Sequence, residues 1–203
     1  MIEKVLAGLE SGKPARLLSL PKEEEQFIKP LMLLTMKPVI YACNVADTDL
    51  ANGNELSKSI EEYAQKEGSK CVLVSAQVES ELSTLGPEER NEFLAALGVS
   101  DEKCGLKALI PIAFETLGLQ TYFTTGPEQT KAWTIKKGML APQAAGVIHT
   151  DFEKGFIRAE TIGYEDFVRV GDEKVCRDTG LMRSEGKEYV VKDGDVMLFR
   201  FNK

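Results

Sequence analysis

The stretch Val39–Asp47, VIYACNVAD, is a short apolar run with a β-branched start, and it ends in an Asn-x-x-Asp loop. Such a run is typical of a buried parallel strand. The periodic segment Glu55–Lys66 follows, and Gly68 closes it, which predicts a helix. Lys70–Ser75, KCVLVS, predicts a second buried strand. A strand, helix and strand in this order favour a parallel crossover, so the sequence predicts half of an open α/β sheet.

Polar residues follow both predicted strands. In open α/β sheets, ligands bind at the carboxyl ends of the parallel strands. Asn44 and Asp47 come just after the first predicted strand, and Ser75 and Ala76 lie at the end of the second. An Asn amide both donates to and accepts from a purine edge, and an Asp carboxylate accepts from purine N–H groups. A backbone N–H after Ser75 is in a position to reach a purine as well. A plain loop and turn gives the same short pattern, so both interpretations stay open.

The phosphate-binding half of a nucleotide site is not recognisable in these residues. A Walker loop requires Gly-x-x-x-x-Gly-Lys-Ser/Thr, with backbone N–H groups around the phosphates and a hydroxyl on magnesium. The nearest stretch is AGLESGKP, in which Ala7 replaces the first Gly and Pro14 replaces the Ser or Thr. It is therefore predicted to be a helix end. The stretch Gly68–Lys70 leads into a strand instead of a helix, which is the wrong context.

Further elements are predicted on both sides of this unit. Helices are expected for residues 1–12, 21–34, 87–97 and 105–117. After Gly118 the pattern changes to period-two alternation with turn residues. The expected elements there are a hairpin (LQTYFTT and AWTIKKG), a helix (PQAAGVIHTDFEKG), one or two strands (FIRAETIGYEDFVRV), a helix and turn (DEKVCRDTGLMRSEG), and strands around the Asp193-Gly194 turn (EYVVKDGDVMLFRFN). This order predicts a small α+β roll.

The composition indicates a soluble globular chain. Of its 203 residues, 43% are hydrophobic, and every apolar run is shorter than the roughly 20 residues that a membrane span needs. No signal peptide is expected. Residues 1–119 hold 12 Lys and Arg against 19 Asp and Glu, which accounts for the whole net charge of −7 and suggests a boundary near Leu119. Nonspecific coating of nucleic acid is unfavourable for an acidic chain, although the balanced part can present a local basic patch.

The four cysteines and the single histidine do not suggest a metal site. Cys43, Cys71, Cys104 and Cys176 are widely spaced, so we expect reduced, mostly buried thiols in a cytosolic protein and no zinc site. His149 lies near Asp151 but without a Ser or Cys nucleophile, so we expect a surface or capping residue.

Four stretches of the chain resemble the Obg-like ATPases of the YchF type. They are TMKPVIYACNVAD, VLVSAQVESELSTLGPEERNEFLAALG, LQTYFTTGPEQTKAWTIKKGMLAPQAAGVIHTDFEKGFIRAETI and KDGDVMLFRFN. The resemblance is to the carboxyl-terminal part of that family. It implies an α/β partial P-loop-NTPase-type domain with a helical arm remnant, followed by an α+β domain of the β-grasp (ubiquitin-like) TGS type. The implied ranges are 1–34 for the arm remnant, 35–118 for the end of the nucleotide-binding domain with connecting helices, and 119–203 for the TGS domain.

The resemblance also implies site residues, cofactors and partners. The base-contacting residues carried over by position are Asn44, Val45, Asp47, Ser75 and Ala76. The family usually has Glu where this chain has Asp47, so the resemblance implies ATP or GTP and leaves the base open. It also implies weak nucleotide binding, with magnesium only in the full-length family protein. The implied partners are a ribosome or ribosomal subunit and RNA, with no membrane or DNA, and the implied location is the cytoplasm. We expect no nucleotide hydrolysis by this chain alone, because phosphoryl transfer depends on groups that position the phosphates.

A second surface is predicted in the TGS-like part. An aromatic and basic face for RNA is expected from Lys131, Trp133, Lys136, Lys137, Lys154 and Arg158. The alternative is a solvated strand face with Trp133 partly in the core. Two further hypotheses stay open: a stand-alone TGS-type ribosome or RNA adaptor, and a partial chain without an independent role, whose unpaired strand edges would make it unstable.

Overall fold

A computed structural model describes residues 1–126 and 129–202. The chain separates into two compact units, Met1–Leu117 and Gly118–Lys203. It is an α/β protein with one parallel sheet and one mixed sheet. Within the described residues, no helix has both the length and the apolar content that a membrane crossing requires.

The first unit contains a two-stranded sheet and six helices in the part that the structure describes. The elements are α1 (Ile2–Glu10), α2 (Lys22–Ile28), β1 (Ile40–Asn44), α3 (Glu55–Glu67), β2 (Lys70–Val74), α4 (Ala76–Leu82), α5 (Pro87–Ala96) and α6 (Gly105–Thr116). Strands β1 and β2 pair in parallel, from Ile40 opposite Lys70 to Asn44 opposite Val74. The predicted strand, helix and strand crossover is therefore confirmed.

Helix α3, which connects the two strands, has well-defined ends. The Asn54 side chain accepts a hydrogen bond from the Ser57 N–H, and the Ser57 hydroxyl accepts one from the Asn54 N–H, which forms a capping box. At the other end Gly68 has φ +69°, the left-handed conformation in which glycine commonly stops a helix. The stop at Gly68 allows β2 to begin two residues later, at Lys70.

The second helix is shorter than predicted, and one helix was missed. Residues 21–34 were expected to be one helix, but α2 ends at Ile28 and a 3-10 turn follows at Lys29–Leu31. Pro30 within the segment explains the difference, because proline lacks the N–H that helix continuation needs. Helix α4 follows β2 directly, and only seven residues give its pattern too little length for recognition.

The second unit is built on a five-stranded sheet. Its elements are β3 (Leu119–Thr125), β4 (Thr130–Lys136), α7 (Ala141–Ile148), α8 (Thr150–Lys154), β5 (Phe156–Ile162), α9 (Tyr164–Val170), α10 (Glu173–Asp178), β6 (Arg183–Glu185) and β7 (Val196–Phe201). The strand order is β4-β3-β7-β5-β6. Strands β3 and β7 are parallel, whereas the other neighbouring pairs are antiparallel.

Helices pack on both faces of this sheet. On the first face, Ala144 of α7 packs with Tyr122, Ala159 and Phe199 from three strands. We call this the α7 face. Strand alternation turns neighbouring residues such as Ile162 and Val196 to the opposite face, where they pack with Cys176 of α10. We call this the α10 face.

Three predicted segments of the second unit differ in detail. FIRAETIGYEDFVRV forms β5 and then helix α9, which starts after Gly163 and has Glu165 and Asp166 in its first turn, where the helix dipole favours acids. The helix predicted for PQAAGVIHTDFEKG is interrupted at His149, which has an extended backbone. In EYVVKDGDVMLFRFN only Val196–Phe201 is a strand, and Val190 forms an isolated bridge with Leu140.

Candidate functional site

The two predicted base-contacting loops meet at the carboxyl edge of the parallel sheet. Asn44 is the last residue of β1 and stands opposite Val74. The Asn44 Oδ1 accepts a hydrogen bond from the Ala76 N–H at 3.0 Å. The Val45 N–H donates to the Val74 carbonyl at 2.8 Å. The structure therefore brings Asn44, Val45, Ser75 and Ala76 together, although 32 positions separate Asn44 from Ala76 in the sequence.

The bond between Asn44 and Ala76 changes which groups face a ligand. The backbone N–H after Ser75 was expected to serve a purine directly, but Asn44 already accepts from it. The Asn44 amide keeps its Nδ2, which has two donor hydrogens. Because N7 of adenine and guanine is an acceptor, this amide suits the edge that both purines share.

Ser75 has a structural task in this loop. Its side chain is buried, with 1% exposure, and its Oγ accepts from the Val78 N–H at 3.5 Å as the N-cap of α4. Ala76 is exposed. Ser75 thus holds the chain in the turn that presents Ala76 next to Asn44.

Asp47 is the first residue of a short 3-10 turn, Asp47–Asp49, which begins three positions after Asn44. Its side chain is exposed, and its Oδ1 accepts from the Thr48 N–H at 2.8 Å. The turn is tied to helix α3 because the Asn54 Nδ2 donates to the Asp49 Oδ2 at 2.9 Å. A carboxylate oxygen has more than one lone pair, so Asp47 retains capacity to accept from a ligand.

The stretches that were rejected as phosphate loops have the expected conformations. In AGLESGKP, helix α1 ends at Glu10, Gly12 has φ +77°, and Pro14 precedes a 3-10 turn. Gly68 ends α3, and Lys70 begins β2. The prediction of a helix end at the first stretch and a strand start at the second is confirmed.

The Glu67 carboxylate accepts hydrogen bonds from three side chains, an arrangement that the sequence pattern did not predict. The Glu67 carboxylate accepts from Arg16 Nη2 at 2.9 Å, from the Tyr41 hydroxyl at 2.8 Å and from the Tyr63 hydroxyl at 3.0 Å. The hydrogen bond from Arg16 is the main cause that lowers the pKa of Glu67. Only the spacing of Tyr63 and Glu67, four positions apart on α3, was visible as a local signal. This Glu67 cluster links residues 1–34 to β1.

Trp133 does not present a free ring to solvent. It is partly buried beside the core of the α7 face, and its Nε1 donates to the Thr124 Oγ1 at 2.8 Å. The Lys131 Nζ lies 4.0 Å from the centre of the ring. One face of the indole is therefore used in a cation–π contact within the chain. This arrangement corresponds to the alternative in which Trp133 belongs partly to the core.

Two of the other basic residues predicted for RNA, Lys136 and Arg158, lie on the opposite face of the sheet from Trp133. Alternation along β4 turns exposed Lys136 to the α10 face, because the neighbouring Ile135 is buried with 2% exposure. Lys137 follows the strand, and Lys154 ends α8. Arg158 lies on β5 opposite Arg200 of β7. The six residues thus lie on both faces of the sheet, at the turn after β4 and at the end of α8, instead of on a single face.

Arg158 belongs to a different group of basic side chains. The Glu160 carboxylate accepts from Arg158 at 3.1 Å, from Arg200 at 2.9 Å and from Arg177 at 3.3 Å. Arg200 is the main cause that lowers the pKa of Glu160. We call Arg158, Arg177 and Arg200 the arginine cluster. Arg177 and Arg200 were missed because they come from α10 and β7, whose meeting with β5 no local pattern encodes.

His149 caps a helix, and the four cysteines are free thiols that are buried or half-buried. The His149 Nδ1 accepts from the Asp151 N–H at 3.2 Å as the N-cap of α8, which confirms the predicted capping role. Cys104 and Cys176 are buried free thiols, whereas Cys43 and Cys71 are half-buried with their Sγ atoms 3.7 Å apart. Within residues 1–126 and 129–202, the structure contains no group of three His, Cys, Asp or Glu side chains suited to a metal ion.

Comparison with known proteins identifies the family. The family model YchF-GTPase_C, "Protein of unknown function (DUF933)", matches residues 119–202. The chain is 47% identical to the ribosome-binding ATPase YchF of Bacillus subtilis (strain 168), over 100% of its own length and 55% of that protein. The chain corresponds to the carboxyl-terminal part of the YchF type of Obg-like ATPases. What it matches is the carboxyl-terminal part of these proteins, so it spans about half the length of the curated relatives.

Two further relatives agree with this assignment. Obg-like ATPase 1 of Pongo abelii is 38% identical over 96% of this chain and 49% of that protein. The solved structure of the YchF GTPase from Schizosaccharomyces pombe superimposes with a TM-score of 0.84 at 36% identity, and the match covers 98% of this chain and 53% of that one. The YchF fold is thus retained across the described part of both units.

Proposed function

We propose that this YchF-type chain supplies the purine-contacting half of a nucleotide site and associates with ribosomes in the cytoplasm. The hydrogen bond from the Ala76 N–H to the Asn44 Oδ1 carries the nucleotide part of the proposal. It holds the loops after β1 and β2 together at the edge where α/β sheets bind ligands. The names of relatives, a ribosome-binding ATPase and an Obg-like ATPase, support the ribosome part and the nucleotide part.

Asn44 and Asp47 are the two side chains that we assign to the base, with the Val45 backbone beside it. The Asn44 Nδ2 donates to N7, and the Asp47 carboxylate accepts from base N–H groups. Guanine offers two adjacent donors to a carboxylate, whereas adenine offers a single exocyclic amine. The proposed ligand class is therefore a purine nucleotide, ATP or GTP, and both belong in the test. Magnesium belongs to the triphosphate half that the full-length family protein provides.

Asn44→Ala is expected to weaken purine binding without unfolding the chain. The loss of one hydrogen bond to the base and of the bond to Ala76 should raise the dissociation constant roughly 3- to 10-fold. The measurement is an NMR titration of the 203-residue chain with ATP and with GTP, followed at the amides of residues 44–47 and 75–76. Asn91→Ala, an exposed position on α5, is the matched control. Equal affinities for Asn44→Ala and the unaltered chain would contradict the site.

No magnesium-dependent turnover of ATP or GTP is expected from these 203 residues. Phosphoryl transfer is mainly phosphate positioning and charge stabilisation, and no Walker sequence is present to provide them. The measurement is phosphate release with and without magnesium. Turnover that disappears in Asn44→Ala would show that these residues complete a catalytic site.

We assign residues 119–203 to a TGS-type β-grasp domain that provides the ribosome contact. The proposal is supported by the hairpin β3–β4, the helical segment that follows it, and the parallel pairing of the first and last strands in the middle of the sheet. The domain ranges 1–34 and 35–118 remain part of the same proposal.

A second candidate function is a ribosome or RNA adaptor that acts only through residues 119–203. It is favoured by the family model, which matches 119–202 alone. Sedimentation of the full chain with ribosomes, with and without ATP, separates the two functions. Retention that responds to ATP and loses this response in Asn44→Ala favours the ATPase-derived function. Retention that is the same under all these conditions favours the adaptor.

A further inference from the structure

The arginine cluster places excess positive charge on the open part of the α10 face. Arg158 and Arg200 are cross-strand partners on β5 and β7, and Arg177 reaches the same carboxylate from α10. Glu160 lies beneath them with 12% of its side chain exposed. Glu173 pairs with Arg177 at 3.3 Å, so three guanidinium groups face two carboxylates. The more accessible charge at this position is therefore positive.

The guanidinium groups keep donors available for a ligand. Their side chains are 51%, 52% and 46% exposed for Arg158, Arg177 and Arg200. Each one contacts Glu160 through Nη2. In the part of the chain that the structure describes, the Nε and Nη1 groups of Arg158 and Arg200 have no protein partner. An arginine has five N–H donors in a fixed fork, so most of the donors on both side chains remain free.

Glu160 holds the three forks in place. A side chain of this length loses rotamer entropy when it is immobilised, and a site that is already ordered avoids part of that loss on binding. Two arginines on neighbouring strands and one on a helix converge on this single carboxylate. The cluster is therefore a preorganised group of donors and not three independent surface charges.

The neighbouring side chains extend the polar surface. Thr125 of β3 lines the same shallow groove as Glu160 and Leu198. Its hydroxyl and that of Thr130 on β4 lie 3.0 Å apart. Thr125 lies on the α10 face, as Arg200 does, because it follows Phe123 by two positions along β3. Hydroxyls are common contacts to phosphate and sugar oxygens in nucleic-acid complexes.

From this arrangement we infer that the arginine cluster, positioned by Glu160, contacts the phosphodiester backbone of RNA. The inference rests on the proposed ribosome association and names the surface that makes the contact. Guanidinium forks match phosphate oxygens in two-point hydrogen bonds. Base stacking on Trp133 is disfavoured because Lys131 covers its ring. The contact is thus expected to be insensitive to base sequence and sensitive to salt.

Salt dependence measures the number of phosphates contacted. The 203-residue chain is titrated into a fluorescein-labelled uridine oligonucleotide in rising concentrations of KCl. Three phosphate contacts contribute about −2 to the slope of log K against log salt on single-stranded RNA, which corresponds to a loss of about 20-fold between 50 and 200 mM. Arg158→Gln/Arg177→Gln/Arg200→Gln should lose this share of the slope and bind more weakly at low salt by a similar factor.

The matched control removes equal charge elsewhere. Lys22→Gln/Lys58→Gln/Lys66→Gln also removes three positive charges, from exposed lysines of the first unit, and we expect it to retain most of the slope. Arg158→Lys/Arg200→Lys keeps the charge but removes the forks, and it should bind at an intermediate level. Trp133 fluorescence in urea checks that each variant is folded. An arginine variant with the affinity and slope of the unaltered chain would overturn the inference, as would a lysine variant with the larger loss.

Glu160→Gln tests the positioning role. If the arginines acted only as charges, removal of one negative charge would strengthen RNA binding. If Glu160 preorganises them, binding weakens although the net charge becomes more positive. We expect the second result, and tighter binding would overturn the positioning role.

Two additional measurements separate this inference from the proposed function. Failure of the unaltered chain to sediment with ribosomes would count against the proposed function. Sedimentation that is unchanged in the triple arginine variant would leave that function standing and overturn the inference alone. Polyglutamate of matched charge is the competing probe, and tighter binding to it than to the uridine oligonucleotide would assign the cluster to an acidic peptide instead.

Discussion

Tyr122→Ala is expected to destabilise the second unit by about 3–5 kcal/mol, as is typical when a large aromatic side chain is removed from a core. Tyr122 is fully buried on the α7 face, with 0% exposure. Its ring meets Phe199 edge-on at 5.8 Å between centroids, and its hydroxyl donates to the Ala144 carbonyl at 2.9 Å. The substitution removes packing between β3, β7 and α7 at once. A loss of this size is a large part of the 5–15 kcal/mol that stabilises an ordinary domain.

Urea denaturation followed by Trp133 fluorescence measures this effect. Trp133 is the only tryptophan of the chain and is opposite Tyr122 in the strand register, so its signal reports on the second unit. Tyr122→Phe is the matched control, because it keeps the ring and removes only the hydrogen bond to Ala144. We expect it to cost about 1 kcal/mol. Equal midpoints for Tyr122→Ala and Tyr122→Phe would refute the packing argument.

Glu67→Ala is expected to loosen the first unit, and in particular β1. The substitution leaves Arg16, Tyr41 and Tyr63 without the carboxylate that they share. Arg16 and Tyr41 are half-buried, so the loss of their acceptor leaves donors that water satisfies only in part, and local opening becomes more frequent. Hydrogen exchange followed by mass spectrometry should show faster exchange in β1 and β2, by about one to two orders of magnitude. Glu67→Gln retains an acceptor for the tyrosines and should lie between Glu67→Ala and the unaltered chain.

The Glu67 cluster also predicts a dependence on pH. Arg16 lowers the pKa of Glu67 below its ordinary value of 4.5. The ionised carboxylate therefore stabilises the folded state fully above about pH 4.5, and this contribution is lost as the pH falls through the lowered pKa. Exchange of the β1 amides, corrected for intrinsic rates, should accelerate in acid in the unaltered chain and less in Glu67→Gln. Unchanged β1 protection in both variants would contradict the proposed role of Glu67. At each pH the Trp133 transition in urea should be the same in the unaltered chain and in Glu67→Gln, which serves as an internal control.

The substitutions at Tyr122 and Glu67 concern different parts of the proposed function. Tyr41 lies in β1, three positions before Asn44, so a loosened β1 should also weaken the presentation of the base-contacting loop. Tyr122 lies in the sheet that carries Arg200 and Arg158, so loss of its packing should reduce RNA contact through unfolding. Measurements of stability and of binding on the same variants distinguish a loss of structure from a loss of contact.

The local patterns of the sequence determined the parallel strand pair, the helix between them and the position of Asn44 after the first strand. Hydrophobic periodicity and helix caps are properties of neighbouring residues, so they can be read without a structure. Predictions failed where one residue type interrupts a pattern, as Pro30 does in the second helix, and where Gly163 separates β5 from α9.

Only the tertiary structure decided which side chains meet. Asn44 and Ala76 are 32 positions apart, Arg16 and Glu67 are 51 apart, and Glu160 and Arg200 are 40 apart. Strand alternation places Lys131 and Arg158 on opposite faces of the sheet. Lys131 also contacts the Trp133 ring, which the sequence alone predicted to be available for base stacking. The residue types at the candidate sites were visible in the sequence. Their partners were not, because hydrogen bonds and ion pairs depend on distances that arise only when remote strands and helices pack.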